Sequence, residues 1–216
     1  MTTTMHPVSA TEERRELLAR RGRALSLLTL GYNSLEGVIS VAAGVSAGSI
    51  SLVGFGVDSV IEVLSSVAAL WRLRADFDEA RRERAERTAL RVIGVLFVGL
   101  AVYIAVDAAY RLYQREAASI SRAGLAITVL SVIVMPLLAR AKRNVATALG
   151  SRALTADSTQ TDLCAWLSAI VLVGLALNAG LGWWWADSVA AICMTPIIAK
   201  EGFEALRGEP PCEDCA

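Results

Sequence analysis

Residues Ser49 to Trp71 form a run of apolar and small residues long enough to cross a bilayer as a helix, and two acids stand near its middle. Asp58 and Glu62 are four residues apart, so a helix places both on one face, one turn apart. A carboxylate at bilayer depth costs on the order of 2.5–3.5 kcal/mol on insertion scales. No basic residue lies in the stretch to neutralise the pair. The stripe must therefore face water, a cation or a charge on another helix. It reads as half of a divalent-cation site. The bland alternative is a protonated, hydrogen-bonded pair inside a helix bundle.

The rest of the chain fits a membrane setting. It has 216 residues, 55% of them hydrophobic, and a mean hydropathy of +0.50, too apolar for an ordinary soluble domain. The expected fold is an all-α polytopic membrane protein with six transmembrane helices, at about 24–46, 50–72, 89–112, 120–139, 155–181 and 183–203. The polar stretch 1–23 is expected to be a cytoplasmic N-terminal arm, disordered or surface-helical, with no cleavable signal peptide, and 204–216 a short cytoplasmic tail.

The net charge is zero, but the basic residues are sorted. Arg14 to Arg23, Arg72 to Arg91, the group Arg140, Lys142, Arg143 and Arg152, and Lys200 with Arg207 fall on one side of the six spans. Arg111, Arg115 and Arg122 fall on the other. The positive-inside rule then puts both termini in the cytoplasm; the expected location is the cell (inner) membrane. Acids interleave the basic residues between 76 and 86, so a nucleic-acid partner is set aside.

Along the chain, His6 is the single histidine and reads as incidental. Span one carries Asn33 and Glu36; Glu36 either lines a cavity or bonds a neighbouring helix. The link from Gly44 to Ser49 is short and forces an antiparallel hairpin. Segment 75–88 alternates in charge and reads as a solvated helical extension or a plain loop. Asp107 can pair with Arg111, and Pro136 marks a kink or boundary in span four.

Span five opens Thr155-Ala156-Asp157-Ser158-Thr159-Gln160-Thr161-Asp162-Leu163-Cys164. Asp157, Gln160 and Cys164 share a face, with Asp162 turned away. Counted by helical rise, Gln160 and Cys164 reach about the depth of Glu62. Two carboxylates, an amide oxygen and a thiolate can complete four-coordination of a transition metal. Alone, Cys164 would read as a small core residue. Trp183-Trp184-Trp185 fits a headgroup belt, and Asp187 just inside it can cap a helix or pair across the bundle. The chain ends in Cys212-Glu213-Asp214-Cys215, a possible soft-metal or redox pair and weak evidence alone.

Asp58-Ser59-Val60-Ile61-Glu62, together with Ala156-Asp157 followed by a pair at i, i+4, and Gly182-Trp183-Trp184-Trp185-Ala186-Asp187, resemble the cation diffusion facilitator family over about residues 24–203. The resemblance implies a metal site of Asp58 and Glu62, with Gln160 in the family's histidine place and Cys164 in its aspartate place. Glu62 is a conservative change; Gln160 and Cys164 are not. Asp157, Glu36, Cys212 and Cys215 are possible accessory ligands. The family's metallochaperone-like domain is expected to be absent, since thirteen residues follow span six. The implied function is secondary-active efflux of a divalent metal by a homodimer exchanging it for protons. Zinc is the first cargo expected, with manganese, iron, cobalt or cadmium as others. The rival class is a membrane protein that binds or senses metal without transporting it. A membrane enzyme is disfavoured, since no nucleophile is paired with a base.

Overall fold

The structure, a computed structural model, describes residues 7–74, 79–150 and 152–207. His6, Cys212 and Cys215 lie outside the described residues. Six α-helices account for nearly all of them: α1 (Pro7–Ala47), α2 (Ile50–Arg74), α3 (Glu79–Gln114), α4 (Arg122–Leu149), α5 (Arg152–Leu181) and α6 (Ala186–Arg207). Among the described residues, three stretches, Arg91–Gln114, Arg122–Leu149 and Asp157–Leu181, are long and apolar enough to cross a membrane by length and composition. Acids and amides stand inside the remaining helices: Asn33 and Glu36 on α1, Asp58 and Glu62 on α2, Asp187 and Glu201 on α6.

The first helix starts at Pro7, so the arm before the first span is helical from there on, and Pro suits a first helical position, where its missing N–H has no partner to lose. Pro136 neither ends nor caps α4, which runs on to Leu149. A helix-interior proline removes one backbone bond, and α4 keeps its buried stripe on both sides of it, from Met135 to Leu138 and Ala139. Ser121 caps the start of α4 by accepting from the Gly124 N–H. Gly150 closes its end at φ +62°, donating its N–H to the carbonyls of Ala146 and Thr147.

The helices pack in the pairs α1–α2, α3–α6 and α4–α5, with α2 also touching α3, α5 and α6. Close approach is set by glycine. A Cβ on Gly56 would fall 2.7 Å from the Val41 backbone nitrogen of α1, and one on Gly94 of α3 would fall 2.8 Å from the Gly202 carbonyl of α6.

The burial pattern is inverted relative to a water-soluble protein. Leu28, Leu35 and Val38 on α1, Val102 and Val106 on α3, Ile133 and Leu137 on α4, and Trp166 on α5 are all exposed. On α1 the buried stripe is instead Ser26, Thr29, Asn33, Glu36 and Ser40, at helical spacing. Apolar outside and polar inside is the arrangement a lipid solvent selects, because hydrocarbon offers no partner to a polar group.

At the end of the bundle that carries the tryptophans, Asp187 in the first turn of α6 reaches across to α2. It accepts from Ser49 Oγ (2.6 Å), Ser51 Oγ (2.5 Å) and the Ile50 N–H (2.9 Å). One side chain thus caps the start of α2 and ties it to α6. Nearby, Arg111 bonds Asp107 at 2.6 Å, the pair expected from their spacing, and also donates to the Gly48 carbonyl at 3.1 Å. Trp183 and Trp185 stack at 5.0 Å.

Candidate metal centre

The helical spacing on α2 turns Asp58 and Glu62 inward, with 7% and 1% of their surface exposed. Their surroundings differ. Glu62 Oε1 accepts from Thr161 Oγ1 of α5 at 3.0 Å, while Glu62 Oε2 is buried with no hydrogen-bond partner. Asp58 has no hydrogen bond among the described residues and lines a narrow, partly open cleft. Gln160 of α5 and Glu201 of α6 line the same cleft, between apolar walls that include Phe97, Leu167 and Ile198.

Cys164, one turn beyond Gln160 on α5, is 1% exposed and faces α1. Its Sγ is 3.7 Å from Glu36 Oε2. Glu36 is fully buried and bonded from two other helices: Ser59 of α2 donates to Oε2 at 2.9 Å, and Ser131 of α4 donates to Oε1 and shares a 2.8 Å bond with the Tyr32 hydroxyl. Asp58, Glu62, Glu36 and Cys164 all lie within electrostatic reach of one another.

The four residues expected to form the site are therefore neighbours across the α2–α5 interface, in two subsets. Asp58 and Gln160 open to the cleft. Glu62 and Cys164 point deeper, toward Thr161 and Glu36. Among the described residues no three Cys, Asp, Glu or His side chains converge in ligating geometry.

Asp157 sits elsewhere. Its Oδ2 is 2.9 Å from Lys142 Nζ and 3.1 Å from Ser26 Oγ, and its Oδ1 accepts from Ser66 Oγ at 3.1 Å. Both oxygens are occupied, and the partner is a cation. Asp162 on the other side of α5 pairs with Arg143.

Lys142, grouped by its sequence position with the basic residues at one end of the spans, has a fully buried side chain. It also donates to Thr161 Oγ1 at 3.0 Å, the hydroxyl that bonds Glu62 and shares its proton with the Asp157 carbonyl. The signal was present in the spacing, since Thr128, Ser131, Met135, Leu138 and Lys142 fall on one stripe of α4. Glu201 was missed because nothing in the sequence places α6 against the cleft.

As chemistry, this interior offers hard carboxylate and amide oxygens, one soft thiol and a fixed internal cation to one side. Such a donor set suits a divalent metal rather than an organic substrate.

The model of the cation efflux transmembrane domain matches residues 26–208. An uncharacterized transporter of Methanocaldococcus jannaschii is 28% identical over 186 residues, 82% of this chain and 65% of its own. The cation-efflux pump FieF of Shewanella oneidensis is 25% identical over 193 residues, covering 87% and 63%. Transmembrane protein 163 of Xenopus laevis is 27% identical over 192 residues, covering 87% and 66%. The chain spans just under two thirds of the length of these relatives. With its apolar exterior and polar interior, it is a multi-pass membrane protein that belongs to the cation efflux family.

Proposed function

We propose that this chain moves a divalent transition-metal cation across a membrane by alternating access, and that Asp58, Glu62, Gln160 and Cys164 hold the ion in transit. One observation carries the reading: two buried carboxylates on α2, one without a hydrogen bond and the other with a free oxygen, face a polar stripe of α5 inside an apolar-surfaced bundle. Relatives named as transporters and as a cation-efflux pump support it.

The finer assignments follow from chemistry. Metal and proton compete for the same ligands, so release of one accompanies binding of the other. That makes the protein a proton antiporter. Zinc is the first cargo; Cys164 favours softer ions such as cadmium over manganese, with iron and cobalt between. All six helices cross the cell membrane with both termini in the cytoplasm, flux is outward, and the working unit is a homodimer.

The test is metal uptake into inside-out membrane vesicles under an imposed pH gradient, across zinc, manganese, iron, cobalt and cadmium. Gradient-dependent uptake of at least one ion, lost in Asp58→Ala, is the expected result. Metal that binds the purified protein but never accumulates would replace this reading with that of a metal-binding membrane protein that does not transport.

A further inference from the structure

Resting on that reading, we propose that Glu201 is a further cation-binding residue, and that with Gln160 and Asp58 it makes the cleft a capture position for the metal on its way to Glu62 and Cys164.

Three observations converge. Glu201, Gln160 and Asp58 are contributed by three helices, α6, α5 and α2, and all line one cleft. None of the three side chains has a hydrogen bond or ion pair among the described residues, although Asp58 is only 7% exposed and Glu201 half-buried. A carboxylate that has lost most of its water and found no donor needs a proton or a cation. The other cleft residues, Phe97, Leu163, Leu167, Ile197 and Ile198, are apolar and offer neither.

The next residue, Lys200, acts on Glu201 electrostatically, but its side chain is 70% exposed, does not line the cleft and pairs with Glu204 at 3.4 Å. Glu201 is left as the acid that α6 presents to the cleft. Level also matters. Asp187 bonds Ile50 N, so α2 and α6 start together; counted from there, Glu201 stands roughly 10 Å beyond Asp58 along the bundle, toward the end opposite the tryptophans. By the same count Glu62 stands between the two levels, so Glu201 is placed to meet a cation first, and both carboxylates of α2 to receive it. A set of few oxygen ligands binds loosely, as transfer requires, while Glu62 and Cys164, each one turn along from Asp58 and Gln160, supply the tighter donors.

The experiment pairs zinc uptake into inside-out vesicles with zinc titration of the purified full chain, in the wild type, Glu201→Gln, Glu201→Asp and Glu201→Cys. Glu201→Gln should raise the half-saturating zinc concentration about tenfold and leave the maximal rate within about twofold, and Glu201→Asp should recover most of the affinity; tenfold corresponds to about 1.4 kcal/mol. Glu201→Cys should move the cadmium-to-manganese preference toward cadmium, a shift that a merely structural residue would not produce. A wild-type half-saturation in Glu201→Gln, together with unchanged selectivity in Glu201→Cys, overturns the role of Glu201 and leaves the transport reading standing. A wild type that neither binds nor accumulates zinc or cadmium overturns both.

Discussion

Lys142 Nζ lies 2.9 Å from Asp157 Oδ2, and both side chains are almost wholly removed from the surface. The pair joins α4 to α5 and borrows α1 and α2 through Ser26 and Ser66. Each charge is there because the other is. Removing one from such a pair costs about 3–5 kcal/mol, whereas replacing both by apolar groups of similar volume is often neutral. Lys142→Met should therefore lower the melting temperature of the detergent-purified protein clearly, and the double variant Lys142→Met/Asp157→Leu should recover most of the loss. Equal melting of wild type and single variant would remove the ion pair from the account.

The same lysine reaches Glu62 through Thr161. Thr161→Val keeps the shape and deletes the hydroxyl, leaving Glu62 Oε1 without the one donor it has and freeing it to rotate. A buried acceptor left unmade costs about 1–3 kcal/mol. Zinc affinity, read by titration of the purified protein, should change in Thr161→Val by several-fold, while Thr161→Ser stays near the wild type.

Asp187 holds three donors from the start of α2. Loss of an N-cap costs about 0.5–2 kcal/mol, and this one also ties two helices together. Asp187→Ala should lower the melting temperature more than Ser49→Ala or Ser51→Ala alone, because each serine leaves two donors in place. The comparison of the three melting curves decides it.

Carboxylates and thiols bind metal in their deprotonated forms, so acid must weaken binding. Zinc affinity should fall as pH is lowered, with protons released into the medium on binding; proton counts come from calorimetry in buffers of different ionisation enthalpy. Cys164→Ser should reduce the preference for cadmium over manganese and leave manganese binding within a few-fold. An unchanged preference would take Cys164 out of the ligand set.

Much of this interior was written in the helical period. The inward turn of Asp58 and Glu62, the pairing of Asp107 with Arg111 and the hairpin at Gly48 all depend on residues a few positions apart. Lys142 shows where reading by segment fails: it stands with Arg140 and Arg143 in the sequence, yet the α4 stripe carries it inside while Arg143 pairs with Asp162 at the half-exposed edge of α5. The division of the ligand set was not legible either. Whether Cys164 meets Glu62 or Glu36 depends on how α1 packs against α2 and α5, and no local spacing encodes that.

The most direct test of the central claim is proton movement driven by metal. Inside-out vesicles holding the protein are given an acidic interior, and zinc is added outside while the internal pH is followed with a dye. Discharge of the gradient on zinc addition in the wild type, and none in Asp58→Ala at equal protein level, is the predicted result. No discharge in the wild type, or equal discharge in the variant, would contradict exchange of metal for protons at Asp58.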